Sequence, residues 1–112
     1  MEMRVEQLAE GVVLVAPTGR WDQDGSAEIA QKFIDAITPG LRVIVDMSGV
    51  PYLSSMGIRS LLMGANTARG KGGRMVLLSP NANVAGVLIT AHISDIIPTF
   101  NNFETARRAV TA

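Results

Sequence analysis

The chain has 112 residues, 47% of them hydrophobic, so it can bury one core, and we expect a single domain over residues 1–112. Ten basic and ten acidic residues give a net charge of zero, which offers no electrostatic support for binding nucleic acid or an anionic membrane. The absence of cysteine excludes disulfides, thiolate nucleophiles and cysteine-ligated zinc.

The first third of the chain predicts a hairpin followed by a helix. Residues 3–8 alternate apolar and polar side chains, as in a half-buried edge strand, and a turn at Glu10-Gly11 leads into an apolar strand over residues 12–16. The short connection makes the two strands antiparallel. We expect Ser26 to cap a helix that stops at Thr38-Pro39-Gly40. The apolar face of this helix comprises Ile29, Ala30, Phe33 and Ile37.

The middle of the chain predicts two buried strands with a helix between them. Residues 41–46 have a continuous apolar centre, which is typical of a strand covered on both faces. A helix follows from about Ser55 to Arg69, and the glycine-rich run 70–73 ends it with a residue that can adopt a left-handed conformation. The apolar run 74–78 is the fourth strand.

The last third predicts a short helix, a short strand and a final helix. Pro80-Asn81 begins the third helix, and Asn102 caps the fourth. Residues 96–100 form the last strand, at a sheet edge because Pro98 lacks a backbone donor. The element order ββαβαβαβα indicates an α/β domain with a mixed, mostly parallel sheet of about five strands and four helices.

The sequence lacks the residues of an enzyme or of a cofactor site. The single histidine, His92, lies in a predicted loop, and no group of side chains has metal-ligand spacing. Gly70-Lys71-Gly72-Gly73 follows a helix and precedes a strand, the reverse of the order in a phosphate-binding loop. No signal region or bilayer-spanning run is present. We expect a non-enzymatic cytoplasmic protein without cofactor or metal.

The most informative stretch is the loop between the third strand and the second helix. It delivers the hydroxyls of Ser54 and Ser55 to a helix N-terminus, where a serine can cap the helix or a phosphate can be accommodated. Asp22 and Asp46 follow the second and third strands, so they either lie beside this loop or cap turns through their own backbone. Both interpretations stay open for each aspartate.

This loop resembles the signature of the STAS domain, and specifically that of free-standing bacterial anti-sigma-factor antagonists. The resemblance lies in the apolar strand ending at Asp46-Met47-Ser48, the run 52–58, the segment Gly19-Arg20-Trp21-Asp22 and the later run 74–80. It covers nearly the whole chain, including the element order. The resemblance implies partner switching, in which the antagonist binds a serine-kinase-type anti-sigma factor and phosphorylation at the start of the second helix stops that binding.

The sequence departs from the family pattern at the phosphoacceptor. When Gly57 is aligned with the motif glycine, Met56 occupies the usual acceptor position, Ser55 matches the first serine and Ser54 replaces an aspartate. Three interpretations follow. The domain is an antagonist without a switch, or the phosphate goes to Ser55 (with Ser54 as the second choice), or the domain is a subunit of another assembly. That assembly would be stressosome-like or transporter-associated. We favour loss of the standard switch.

The resemblance places the partner-binding surface at the same loop. Its candidate residues are Asp22, Ser54, Ser55, Met56, Gly57 and Arg59. We expect Arg59 to be exposed and Tyr52 and Leu53 to belong to the core, whereas Met56 is either an exposed contact residue or packs against the second helix or the loop. A nucleotide- or small-molecule-binding module is an alternative function, and a weak homodimer stays open.

Overall fold

The computed structural model describes residues 1–37 and 42–112, which include a single five-stranded sheet. The strands lie in the order in which they occur along the chain, β1 to β5. Among the strands of the described residues, only β1 and β2 are antiparallel, and every later neighbouring pair is parallel. The strands are β1 (Glu2–Gln7), β2 (Val12–Thr18), β3 (Arg42–Asp46), β4 (Arg74–Leu78) and β5 (Thr99–Phe100). This topology confirms the predicted α/β fold.

Four helices connect or follow the parallel strands, as the element order predicts. Two single-turn 3-10 helices, Ala9–Gly11 and Ile93–Asp95, supplement them. The predicted helix stop at Thr38-Pro39-Gly40 and the predicted strand residue Leu41 lie outside the described residues. The helices are α1 (Gln23–Ile37), α2 (Ser55–Gly70), α3 (Ala82–Thr90) and α4 (Phe103–Thr111). None of the described helices is long and apolar enough to cross a bilayer.

The sheet is covered on both faces, which explains the uninterrupted apolar centre of β3. Val43, Ile44 and Val45 are all fully buried, and because side chains alternate along a strand they serve two different core clusters. Val43 and Val45 pack with residues of α1, α2 and α3, whereas Ile44 packs with Ala106 and Val110 of α4. The helical layer containing α2 is therefore on one face, and α4 is on the other.

The beginning of α1 differs from the prediction. The helix starts at Gln23, three residues before Ser26, because Asp22 rather than Ser26 accepts a bond from the helix start: its carboxylate accepts from the Gly25 amide at 2.9 Å. Ser26 is buried inside the first turns of the helix. The prediction of Ser26 as the cap was wrong.

The last strand is shorter than predicted and begins only after Pro98. The Leu77 amide donates to the Pro98 carbonyl at 2.9 Å, and the paired residues are Leu77 with Thr99 and Leu78 with Phe100. The pairing cannot continue toward the start of β5 because proline has no amide to donate. β5 lies at the sheet edge, as expected, and it leaves the first half of β4 without a neighbour on that side.

Candidate functional site

The loop before α2 is fastened to the beginning of α1 by the main chain of Trp21. The Trp21 amide donates to the Tyr52 carbonyl, and the Ser54 amide donates to the Trp21 carbonyl, both at 2.9 Å. These bonds form an isolated parallel bridge between Trp21 and Leu53. The Trp21 side chain is fully buried and meets Phe33 edge-on at 5.4 Å between ring centroids. The start of α2 is thereby held by the core.

Ser54, rather than Ser55, caps α2. The Ser54 hydroxyl accepts from the Gly57 amide at 3.4 Å and donates to the Trp21 carbonyl at 3.0 Å. The backbone of Ser54 is extended, and its carbonyl already accepts from the Ile58 amide, as an N-cap requires. The sequence alone does not distinguish the two serines as caps, because they are adjacent and give the same signal; in the structure the cap is Ser54.

Gly57, in the first turn of α2, is buried and allows the helix to approach the core closely. A Cβ atom at this position would lie 2.5 Å from a methyl carbon of Leu53 and 2.7 Å from the Trp21 carbonyl oxygen. No real side chain tolerates such distances, so the glycine is a packing requirement. Gly57 therefore acts on the proposed contact surface from below, by fixing where its neighbours Ser55 and Met56 lie.

Three of the candidate contact residues are exposed together on the first turns of α2. Ser55 and Arg59 are exposed, and 37% of Met56 is accessible. In the described part of the chain, the Ser55 side chain makes no hydrogen bond. A hydroxyl, a thioether and a guanidinium are thus free to contact another molecule at this helix start. The expected exposure of Arg59 is confirmed, and of the two interpretations of Met56 the structure shows the exposed one.

The two residues before Ser54 point in opposite directions, which corrects one prediction. Leu53 is 3% exposed and belongs to the core, as expected. Tyr52 is 42% exposed, and the Arg20 guanidinium lies 4.2 Å above its ring centroid. The prediction that Tyr52 belongs to the core was wrong, because successive side chains of an extended segment alternate between the two sides. Tyr52 extends the exposed surface toward Arg20.

Asp22 lies next to Trp21 at the edge of this site, and its carboxylate already has partners within the domain. The bond from the Gly25 amide, with a smaller contribution from the Arg20 guanidinium 3.7 Å away, lowers the pKa of Asp22 below its ordinary value of 3.8. Asp46 caps a turn in the same way, accepting from the Ser48 amide at 3.0 Å. Both carboxylates therefore cap nearby backbone, Asp22 at the start of α1 and Asp46 in a turn, and Asp22 also lies beside the loop.

Asn81 is a positioning residue, although its sequence context predicts only a helix start. Its side-chain carbonyl accepts from the Val84 amide at 2.8 Å and caps α3. Its side-chain amide donates 3.3 Å away to the Val50 carbonyl, in the loop before α2. One asparagine therefore ties α3 to the candidate site, a contact that the local helix-start signal cannot predict. Within residues 1–37 and 42–112, no cluster of three or more metal-ligating side chains occurs.

The family model of the STAS domain matches residues 5–106, and the chain belongs to the STAS domain family. The match includes β2, the loop before α2 and the beginning of α4. It thus confirms the resemblance on which the partner-binding residues were chosen. A search of curated protein sequences gave no match.

Solved structures share this fold at low sequence identity. A putative anti-sigma factor antagonist from Thermotoga maritima superposes with a TM-score of 0.89 at 18% identity, covering 98% of this chain and 95% of its own. An anti-sigma-factor antagonist domain protein from Planctomyces limnophilus gives 0.85 at 24% identity, covering 98% of both chains. The STAS domain of a SulP transporter from Vibrio cholerae gives 0.73 at 18% identity, covering 91% and 82%. At these identities the likeness shows the fold.

Proposed function

We propose that the domain is an anti-sigma-factor antagonist that binds a serine-kinase-type anti-sigma factor through the loop before α2 and the first turns of α2. Its contact residues are Ser55, Met56 and Arg59, with Asp22, Ser54 and Gly57 holding them in place. The observation that carries the proposal is the exposure of Met56 on a helix start that Trp21 fixes to the core. A rigid backbone presenting a flexible thioether suits an adaptable protein interface.

We further propose that the standard phosphorylation switch is lost. The family resemblance aligns Met56 with the acceptor serine, and a thioether cannot take a phosphate. A phosphate there would bring about −1.5 to −2 charges into the contact surface and would block a partner by repulsion and desolvation. Methionine keeps the surface uncharged, so the domain stays competent to bind.

Between the two remaining serines, the hydrogen bonds favour Ser55 as an alternative acceptor. The Ser54 hydroxyl is half-buried and engaged with both Gly57 and Trp21, so a phosphate there would break the helix cap. The Ser55 hydroxyl is exposed on the adjacent residue. Phosphorylation of Ser55 would restore an off-state one residue before the usual position.

A transporter-associated role is the second candidate function, because the STAS domain of a SulP transporter shares the fold. A stressosome-like scaffold and a nucleotide-binding module stay open beside it, as does a weak homodimer. Stabilisation of the folded state by millimolar nucleotide in a thermal shift assay would favour the ligand-binding module. We expect no such stabilisation.

Calorimetric titration against the kinase-type anti-sigma factors of the source genome, each expressed separately, tests the proposal. We expect one of them to bind the wild-type domain, and Met56→Glu to weaken that binding by at least about tenfold, because a carboxylate would be desolvated in the contact. An acidic residue in the first turn of a helix is well tolerated, so the variant remains folded.

Phe103→Glu is the matched control for this titration. Phe103 is an exposed apolar residue in the first turn of α4, on the opposite face of the sheet, so an apolar side chain is again replaced by a carboxylate, at a different location. We expect its affinity to equal that of the wild type. Equal losses in both variants would contradict the assignment of the contact to α2, and no binding by any of the anti-sigma factors would contradict the antagonist function.

A further inference from the structure

The first half of β4 is an unpaired sheet edge. In this strand, residues that bond to β3 alternate with residues that bond toward β5: the Leu78 carbonyl accepts from Met47, whereas the Leu77 amide donates to Pro98. Met75 lies two residues before Leu77 and therefore faces the β5 side. Within the described residues, neither the amide nor the carbonyl of Met75 has a hydrogen-bond partner.

Pro98 explains why the carbonyl of Met75 has no partner in β5. The next rung of a parallel ladder below Leu77 would have the residue at position 98 donate its amide to the Met75 carbonyl. Proline has no amide hydrogen, and Ile96, two residues earlier, directs its own amide back to the Ile93 carbonyl at 2.9 Å. The edge of β4 thus has no strand paired to it for about 10 Å between Gly73 and Val76.

A slot of about 190 Å³ lies along this open edge. Ala65 and Arg69 of α2 line it on one face of the sheet, and Ala109 of α4 lines it on the other. Ile96, 48% exposed, closes it from the side of β5. The slot is therefore lined by the backbone edge of β4 and by one helix on each face of the sheet, as the position of a further strand would be.

The charges around the slot are positive. Two arginines line it, Arg69 and Arg74, and no carboxylate does so among the residues that the structure describes. The Arg69 side chain is exposed and makes no ion pair in the described part of the chain. Arg74 donates to the Ala109 carbonyl at 3.0 Å, which holds its guanidinium on the α4 side. The two cations thus flank the edge on opposite faces of the sheet.

We propose that this slot is a docking site for an extended acidic segment of a partner protein, which adds to β4 as a further strand. Its main chain would satisfy the amide and carbonyl of Met75, as in other cases of strand addition. Consecutive side chains of an extended chain point to opposite faces, so two adjacent acidic residues would reach Arg69 and Arg74. The site lies at the end of α2 away from Ser55 and is independent of the proposed function.

Amide NMR of the ¹⁵N-labelled chain tests the proposal with the acetylated, amidated tetrapeptide Val-Glu-Glu-Val. In the free protein we expect the Met75 amide to exchange with solvent faster than the Leu77 amide. Addition of the peptide shifts the Met75 resonance and slows its exchange at least about tenfold, whereas Val-Gln-Gln-Val and Val-Lys-Lys-Val leave it unchanged.

Arg69→Glu and its control Arg4→Glu distinguish a specific contact at the slot from a general effect of the protein's net charge. Arg4 is an exposed arginine of β1, at the far edge of the sheet, so the change in net charge is identical. We expect Arg69→Glu to weaken the peptide at least about tenfold and Arg4→Glu to have no such effect. A Met75 amide already protected in the free protein, or unaffected by millimolar acidic peptide, would overturn the proposal. So would a Met75 shift that depends on protein concentration alone, since it would assign the slot to a second copy.

Discussion

The Cα atom of Gly57 lies so close to the carbonyl of Trp21 that a Cβ atom on it would fall 2.7 Å from that oxygen. The same carbonyl oxygen accepts hydrogen bonds from both the amide and the hydroxyl of Ser54. The Trp21 carbonyl, just before α1, therefore contacts both Ser54, which caps α2, and Gly57, the third residue of α2. The backbone that carries Ser55 and Met56 is thereby fastened to the start of α1.

Gly57→Ala is expected to destabilise the fold. The added methyl group would overlap both Leu53 and Trp21, and overpacking of this kind costs about 1–3 kcal/mol in the free energy of unfolding. Urea unfolding followed by circular dichroism measures the loss. Gly86→Ala is the matched control, because Gly86 lies within α3 with no atom within 4 Å of the added Cβ, and alanine there should stabilise by about 0.5–1 kcal/mol. Equal stability of the two variants would contradict the packing account.

The adjacent serines are expected to differ in their contribution to stability. Ser54→Ala removes the cap of α2 and the bond to Trp21, so we expect a loss of about 1 kcal/mol in the free energy of unfolding. Ser55→Ala removes an exposed hydroxyl and should change it by less than about 0.5 kcal/mol. Thermal or denaturant unfolding of the two variants side by side decides this point, and a larger loss for Ser55→Ala would show that the cap lies at Ser55.

Asp22 should contribute to stability in a pH-dependent way. Because its folded pKa is lowered, mainly by the Gly25 amide, the carboxylate stabilises the fold above its unfolded pKa of about 3.8. That contribution is lost as the pH falls through the lower, folded value. We expect Asp22→Ala to unfold at a lower urea concentration than the wild type at pH 7, with the difference shrinking below pH 3.8. A difference that is unchanged at low pH would contradict the role of the charged carboxylate.

Met56→Ser is expected to restore the switch that the family resemblance implies. The substitution places a hydroxyl at the exposed second position of α2, directly before Gly57, so a kinase-type anti-sigma factor that binds the domain should phosphorylate it in the presence of MgATP. Phosphorylation would then release the complex. Met56→Ala is the control, because it removes the thioether without adding an acceptor. Peptide mapping by mass spectrometry identifies the modified residue, and a stable complex in which the introduced serine stays unmodified would contradict the alignment of Met56 with the acceptor.

Local sequence patterns were sufficient for the fold. The β-branched run of β3, the glycine run after α2 and the capping residue Asn102 each predict an element that the structure contains. The missing donor of Pro98 predicts an edge strand, and the same property explains why β5 has only two residues. In each case the signal comes from the backbone chemistry of the residue itself.

The details of the candidate site depend on contacts between distant segments, which local patterns do not contain. Serine is a residue type that often caps helices, but here Asp22 caps α1 and Ser26 is buried in the first turns of the helix. Tyr52 continues an apolar run and so resembles a core residue, but Leu53 takes the inward position and the Tyr52 ring lies on the surface under Arg20. The close approach of Gly57 to Trp21 joins residues 36 positions apart, and only the fold brings them together.

Incubation of the wild-type domain with its anti-sigma factor and MgATP tests the central claim most directly. Size-exclusion chromatography follows the complex, and intact-mass spectrometry follows the domain. We predict that the complex persists and that the domain gains no phosphate, because the family resemblance aligns Met56, on the exposed start of α2, with the acceptor serine. Dissociation of the complex together with a phosphate on Ser55 or Ser54 would contradict the loss of the switch.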